Sequence, residues 1–213
     1  MFKKHDLRAE ETKKAILEAA GKLFAAHGFE SVTIREIAKE AGCSHTTIYL
    51  YFKDKEGLLH DLSMPALNQL ERQFETILSE EKLSLEEKLR GLSREFIRFC
   101  LLKRNMFTIL FTERAGRVDE AEPELDINRT RNKLFASMMA ALQGCLELQQ
   151  HDNRLLTFSR IYYFALYGIV GTYAHSEESY EQLRERLGST FDDMVDVLLA
   201  GFKKKLNREE GTI

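Results

Sequence analysis

The sequence predicts an all-α fold, and three observations predict it. Apolar residues recur at spacings of three and four nearly throughout, the period of a helix with one buried face. Glycine and proline are scarce, 12 and 2 in 213 residues, so few points break the chain. No alternating strand pattern stands out, and where the helical pattern pauses the residues are helix caps. With 44% hydrophobic residues there is ample material for a core. The length accommodates one large domain, or a small one plus a medium one.

Nine helices follow in order. Residues 9–27 form the first, with Ile16, Ala19, Ala20, Leu23 and Phe24 on one face, Lys13, Lys14 and Lys22 off it, and Gly28 as its stop. Thr33 and Glu36 make a capping box for the second, which buries Ile34, Ile37 and Ala38 and ends at Ala41-Gly42. Ser44 caps the third, His45–Tyr51, whose inner face carries Ile48 and Phe52. Asp54 caps the fourth, which continues to about Ser79 with a kink expected at Pro65. Ser84 and Glu87 box the fifth, with Leu89, Leu92, Phe96, Ile97 and Cys100 inside. A short sixth runs from Asn105 to about Arg114, followed by the clearest loop, Gly116 to Pro123. Pro123 suits the first position of a seventh helix reaching Gln149. Asp152 or Asn153 caps the eighth, which holds Tyr162, Tyr163, Phe164 and Tyr167 and ends near His175. Ser176 caps the ninth, closed by Lys203-Lys204-Lys205, cations that suit the helix dipole.

Two short helices joined by a tight Gly-containing turn are the helix-turn-helix pattern, here Thr33 to Tyr51. Its second helix turns His45, Thr46, Thr47 and Tyr49 outward, all able to hydrogen-bond to a base edge or a phosphate. An ordinary helical corner would carry Lys and Glu there. Thr33, Ser44, Tyr49, Lys53 and Lys55 are expected to anchor phosphates, aided by the amide end of the fourth helix. Cys43 and His45 provide two ligands without a second pair, so no metal site is expected.

These residues resemble a known family. Ile16, Ala20, Leu23-Phe24, Gly28-Phe29, Thr33, Ile37-Ala38, Ala41-Gly42, Ser44, Thr47, Tyr49, Phe52, Lys55 and Leu58 match the N-terminal domain of TetR-family bacterial transcriptional repressors. The chain departs at His45, where the family often has Lys or Arg, and at Thr46, where it often has Gly or Pro. Both departures bear on which DNA sequence is read. The resemblance implies a DNA-reading head, residues 1–53, on a helical ligand-binding and dimerisation body, residues 54–213. It further implies a homodimer bound to a palindromic double-stranded operator and released by a small molecule.

The net charge of −3 argues against a nucleic-acid binder on its face. Its distribution softens that: residues 1–60 hold ten Lys/Arg against nine Asp/Glu. The start of the chain lacks the apolar core of a signal peptide, and no apolar run approaches the roughly 20 residues of a bilayer span. An odd set of three scattered cysteines suits a reducing compartment, so a cytoplasmic protein without membrane contact is expected.

The body is rich in aromatics. Phe96, Cys100, Phe107, Phe111, Met138, Tyr163 and Tyr167 suit a pocket for an apolar or aromatic effector, with Arg114 and Arg131 placed for an anionic group. For each residue taken singly, plain core packing is the competing reading. The last two helices carry Ala165, Gly168 and Thr172, then Leu187, Phe191, Met194 and Leu198, and the family pairs its two C-terminal helices across a dimer. Two other readings stay open. A small all-α enzyme would need a convergent base, nucleophile or metal set, which the sequence does not offer; no catalytic residue and no cofactor is expected. A ligand-independent DNA-binding dimer would use the body for assembly alone.

Overall fold

A computed structural model describes residues 4–107, 109, 120, 122–149 and 151–210. Among them are nine helices, α1 Lys4–His27, α2 Ile34–Glu40, α3 His45–Tyr51, α4 Lys55–Ser79, α5 Leu85–Leu102, α6 Arg104–Phe107, α7 Asp126–Leu146, α8 Asn153–Tyr173 and α9 Tyr180–Glu210, and no strand. The described residues are all-α, as the periodicity predicts.

The local capping chemistry explains most boundaries. Gly28, at φ 79°, ends α1 in the left-handed conformation that a side chain disfavours. Five of the expected caps form: Thr33 on α2, Ser44 on α3, Asp54 on α4, Ser84 on α5 and Asp152 on α8. Several boundaries differ from expectation, α1 beginning at Lys4 rather than at residue 9 and α7 ending at Leu146 rather than Gln149. α7 begins at Asp126, three residues after Pro123, because Leu125 occupies the cap and the Pro123 carbonyl instead accepts from Arg129 Nε at 3.0 Å. α9 begins at Tyr180, where Ser179 and Gln182 bond reciprocally; Ser176 closes only a local turn with Glu178. α9 also runs past the three lysines to Glu210. Of the sixth helix expected over 105–114, the structure describes Arg104–Phe107, and the remainder lies outside the described residues.

α4 passes through Pro65 without a break, with the proline on the exposed side. α1 packs on α2, α4 and α6, which seats the head on the body. Lys13 on α1 reaches Asp61 on α4 at 3.1 Å. Burial works to raise the Asp61 carboxyl, but the Lys13 and His60 contacts outweigh it and hold it below its ordinary range. α5 is the centre of the body, in contact with α4, α6, α7, α8 and α9. Its Arg90 and Arg94 bind Asp196 and Asp192 on α9 at 2.7 and 2.6 Å. Leu183, Phe191, Val195, Leu199, Phe202 and Leu206 point inward.

Candidate nucleic-acid interface and effector core

The turn between α2 and α3 is held by its own backbone. Cys43 N donates to Ala38 O at 2.9 Å and Gly42 N to Lys39 O at 3.3 Å, the paired bonds of a Schellman ending. Gly42 sits at φ 67°, where glycine alone is unstrained. Ser44 Oγ then accepts from Thr47 N at 3.0 Å and starts α3. Ile48, fully buried, fastens α3 to the head core formed by Ile16, Phe24, Phe29 and Ile37. Anchoring one face this firmly presents the other to solvent at a fixed angle.

His45, Thr46 and Tyr49 lie exposed on that outer face, and Thr47 is half-buried with its hydroxyl sharing a hydrogen with Ser44 at 2.8 Å. Thr33 is exposed but committed locally. Its amide donates to Glu36 Oε2 at 2.8 Å, and accepting that amide and the Thr33 hydroxyl keeps the Glu36 carboxyl low. Lys53 is exposed at the approach to α4.

Lys55 differs from its expected role. Its ammonium turns inward, over the Phe29 ring at 4.4 Å, and donates to the carbonyls of Phe29, Val32 and Glu30 at 2.8, 3.1 and 3.4 Å. An ammonium has three donors, and all three meet the loop between α1 and α2. Asp54 meanwhile accepts from Gly57 N at 2.7 Å and sets a carboxylate at the amide end of α4, which weakens the pull of that end on a phosphate. Lys55 holds the head together. The sequence missed Leu50, which is 78% exposed beside Tyr49 on α3 and belongs to the outer face.

In the body, Phe96, Cys100, Phe107, Met138 and Tyr163 are buried and drawn together, with Phe135 among them. Rings pack on rings: Phe107 to Tyr167 at 5.3 Å, Phe135 to Tyr163 edge-on at 5.6 Å, and Phe96 to Tyr163 at 6.1 Å. Arg131 is buried among them at 4% exposure, with Nη1 donating to Asn128 Oδ1 at 2.8 Å. Burial pushes the Tyr163 hydroxyl up to about 12, and the Arg131 guanidinium pulls against that rise. Burial also lifts the thiols, Cys100 well above the ordinary range and Cys145 to about 11, so both stay protonated and poorly nucleophilic. Phe111 and Arg114 lie outside the described residues. No group of His, Cys, Asp and Glu among the described residues is arranged to hold a metal.

The faces expected to dimerise are split by the structure. On α8, Gly168 and Thr172 are exposed, Ala165 is partly exposed, and Ile161 and Phe164, not assigned to this face from sequence, are 41% and 64% exposed beside them. On α9, Met194 and Leu198 are half-buried, and Val197, also not singled out, is 70% exposed. Phe191 is a correction. It points into the apolar core of its own subunit, where 7% of it is exposed. Leu187, like Met194 and Leu198, is half-buried and packs partly against the core. An apolar face shared by two long helices and left in water is a mark of an interface.

Residues 16–62 match the family model for bacterial regulatory proteins of the tetR family. The fatty acid metabolism regulator protein of Bacillus subtilis is 30% identical over 132 residues, 62% of this chain and 64% of that protein. The chain thus spans less than two thirds of the length of this relative. The ketosteroid transcriptional regulator KstR2 of Mycobacterium tuberculosis superposes with a TM-score of 0.69 at 21% identity, over 89% of this chain and 93% of that one. The regulator FadR from Bacillus subtilis, solved with stearoyl-CoA, gives 0.59 at 23% identity, over 85% and 96%. At such identities the superpositions speak for the fold. Among the described residues no helix is long and apolar enough to cross a membrane. Residues 16–62, the head, are thus similar to the tetR family of bacterial regulatory proteins.

Proposed function

We propose that the chain is a cytoplasmic, homodimeric, ligand-responsive transcriptional repressor, with residues 1–53 reading DNA and residues 54–213 binding effector and partner subunit. The observation that carries the reading is the outer face of α3. A helix clamped on its inner side by Ile48 and a Schellman turn presents His45, Thr46 and Tyr49, hydrogen-bonding groups with no structural duty. Thr47 and Ser44 frame the start of that face, and Lys53 stands at its edge as a phosphate contact, whereas both donors of Thr33 are engaged by Glu36. In a two-fold dimer, paired reading helices sit about 34–36 Å apart or somewhat more, one turn of the duplex. Selection from a random pool of duplexes is therefore expected to return an inverted repeat. Recovery of unpaired half-sites, or of no sequence at all, would overturn the reading.

For the effector we infer a molecule with an apolar body and an acidic end. Relatives named for fatty acid metabolism, and a similar fold holding stearoyl-CoA, support an acyl chain. Arg131 supports the acid: a guanidinium buried among Tyr163, Tyr167 and Asn128 is a costly feature that an incoming carboxylate or phosphate would turn to use. The rings of the core would part to admit the chain. An effector releases DNA only through unequal affinity for the two head separations. Arg131→Met is expected to raise the acyl concentration needed for operator release by about 10- to 100-fold, the worth of a charge-assisted hydrogen bond. Operator affinity without effector should stay unchanged; gel-shift titrations of both proteins measure each quantity.

A further inference from the structure

We propose that Leu50 reads the 5-methyl group of thymine, making it a specificity-determining residue of the α3 face; this rests on the regulator reading above. Leu50 is 78% exposed, more than any other large apolar side chain among the described residues. It lies one turn beyond Thr46 on α3, and with His45, Thr46 and Tyr49 it makes a continuous outward strip. The inner side of the same helix is already closed by Ile48 and Phe52, so Leu50 has no place in the core of its own head.

A single exposed leucine on an ordinary surface needs no explanation. At the end of a polar strip that enters a groove it does, because docking strips water from it and it must then meet something apolar. Base edges in the major groove present donors and acceptors throughout, with one exception, the thymine methyl. His45, Thr46 and Tyr49 can satisfy the polar edges, and Leu50 is the one member of the strip that cannot. Its partner is therefore a T·A pair near the end of the half-site reached by the last turn of α3.

Deoxyuridine lacks that methyl and keeps the pairing edge, so it isolates the contact. Once the operator is selected, each thymine of a half-site is replaced in turn by deoxyuridine and affinity is measured for wild type, Leu50→Ala and Leu50→Met. At one position, or two adjacent ones, wild type should lose about threefold to tenfold, the size expected for removing one buried methyl. Leu50→Ala should bind the unmodified operator correspondingly less well and be indifferent to the replacement, while Leu50→Met keeps the sensitivity. Because the side chain is exposed, thermal melting should be the same for all three proteins. An operator indifferent to deoxyuridine at every position would overturn the assignment, as would a methyl effect of equal size in Leu50→Ala. Selection of no sequence at all would overturn the regulator reading and this assignment with it.

Discussion

Phe164→Asp combined with Val197→Asp is expected to give a folded monomer whose operator affinity is reduced by at least about 100-fold. The two side chains are 64% and 70% exposed, so neither carboxylate is forced into the core of its own subunit and the fold should survive. In the proposed dimer both lie where α8 and α9 meet their partners, with Gly168 on α8 leaving open space around its backbone for close approach. Four carboxylates desolvated together across that interface would cost several kcal/mol, enough to separate the subunits at working concentrations. A monomer engages one half-site and forfeits the effective concentration that a second linked head provides. Light scattering reads the assembly and circular dichroism the fold. A double variant that is folded and still dimeric would move the interface off these helices. The single variant Phe191→Asp supplies the contrast. Phe191 is inward and 7% exposed, so the buried charge should unfold the subunit before assembly comes into question.

Lys55→Met is expected to destabilise the head by about 2–3 kcal/mol while leaving the salt dependence of DNA binding nearly unchanged. The methionine keeps an apolar stem against Phe29 but removes the donor shared by the carbonyls of Phe29, Glu30 and Val32. Those carbonyls belong to the loop that positions α2 against α1, and α2 in turn sets the angle of α3. Affinity should therefore fall through loss of order in the head. A phosphate anchor would behave otherwise. Its removal would lower the slope of log affinity against log salt by about one and leave stability alone. Urea denaturation and a salt series on one pair of proteins distinguish these outcomes. Lys53, exposed and unlike its neighbour in this respect, is the lysine whose replacement should flatten the slope.

What the sequence by itself determined is the part of the fold written in short-range chemistry. Thr33 with Glu36, Ser44 with Thr47, Asp54 with Gly57 and Ser84 with Glu87 bond across three residues, so each helix start is decided before any helix meets another. The Ala41-Gly42-Cys43 turn is equally local, and it carries the helix-turn-helix and with it the family resemblance. The tertiary structure alone decided which way long-range side chains face. α9 has apolar residues on two adjoining sides, Phe191 with Val195 and Val197 with Leu198, and periodicity cannot rank them. The choice comes from burial of Phe191, Val195, Leu199 and Phe202 against the distant helices α5, α7 and α8, with Arg90 and Arg94 on α5 pairing to Asp196 and Asp192 beside them. Lys55 reads as a surface cation until the α1–α2 loop, 23 to 26 residues back, arrives with three carbonyls. Leu50 reads as one more helical leucine until Ile48 claims the core side of α3. A cap is a contact between near neighbours in sequence, whereas a face is chosen by whichever distant helix packs first and best.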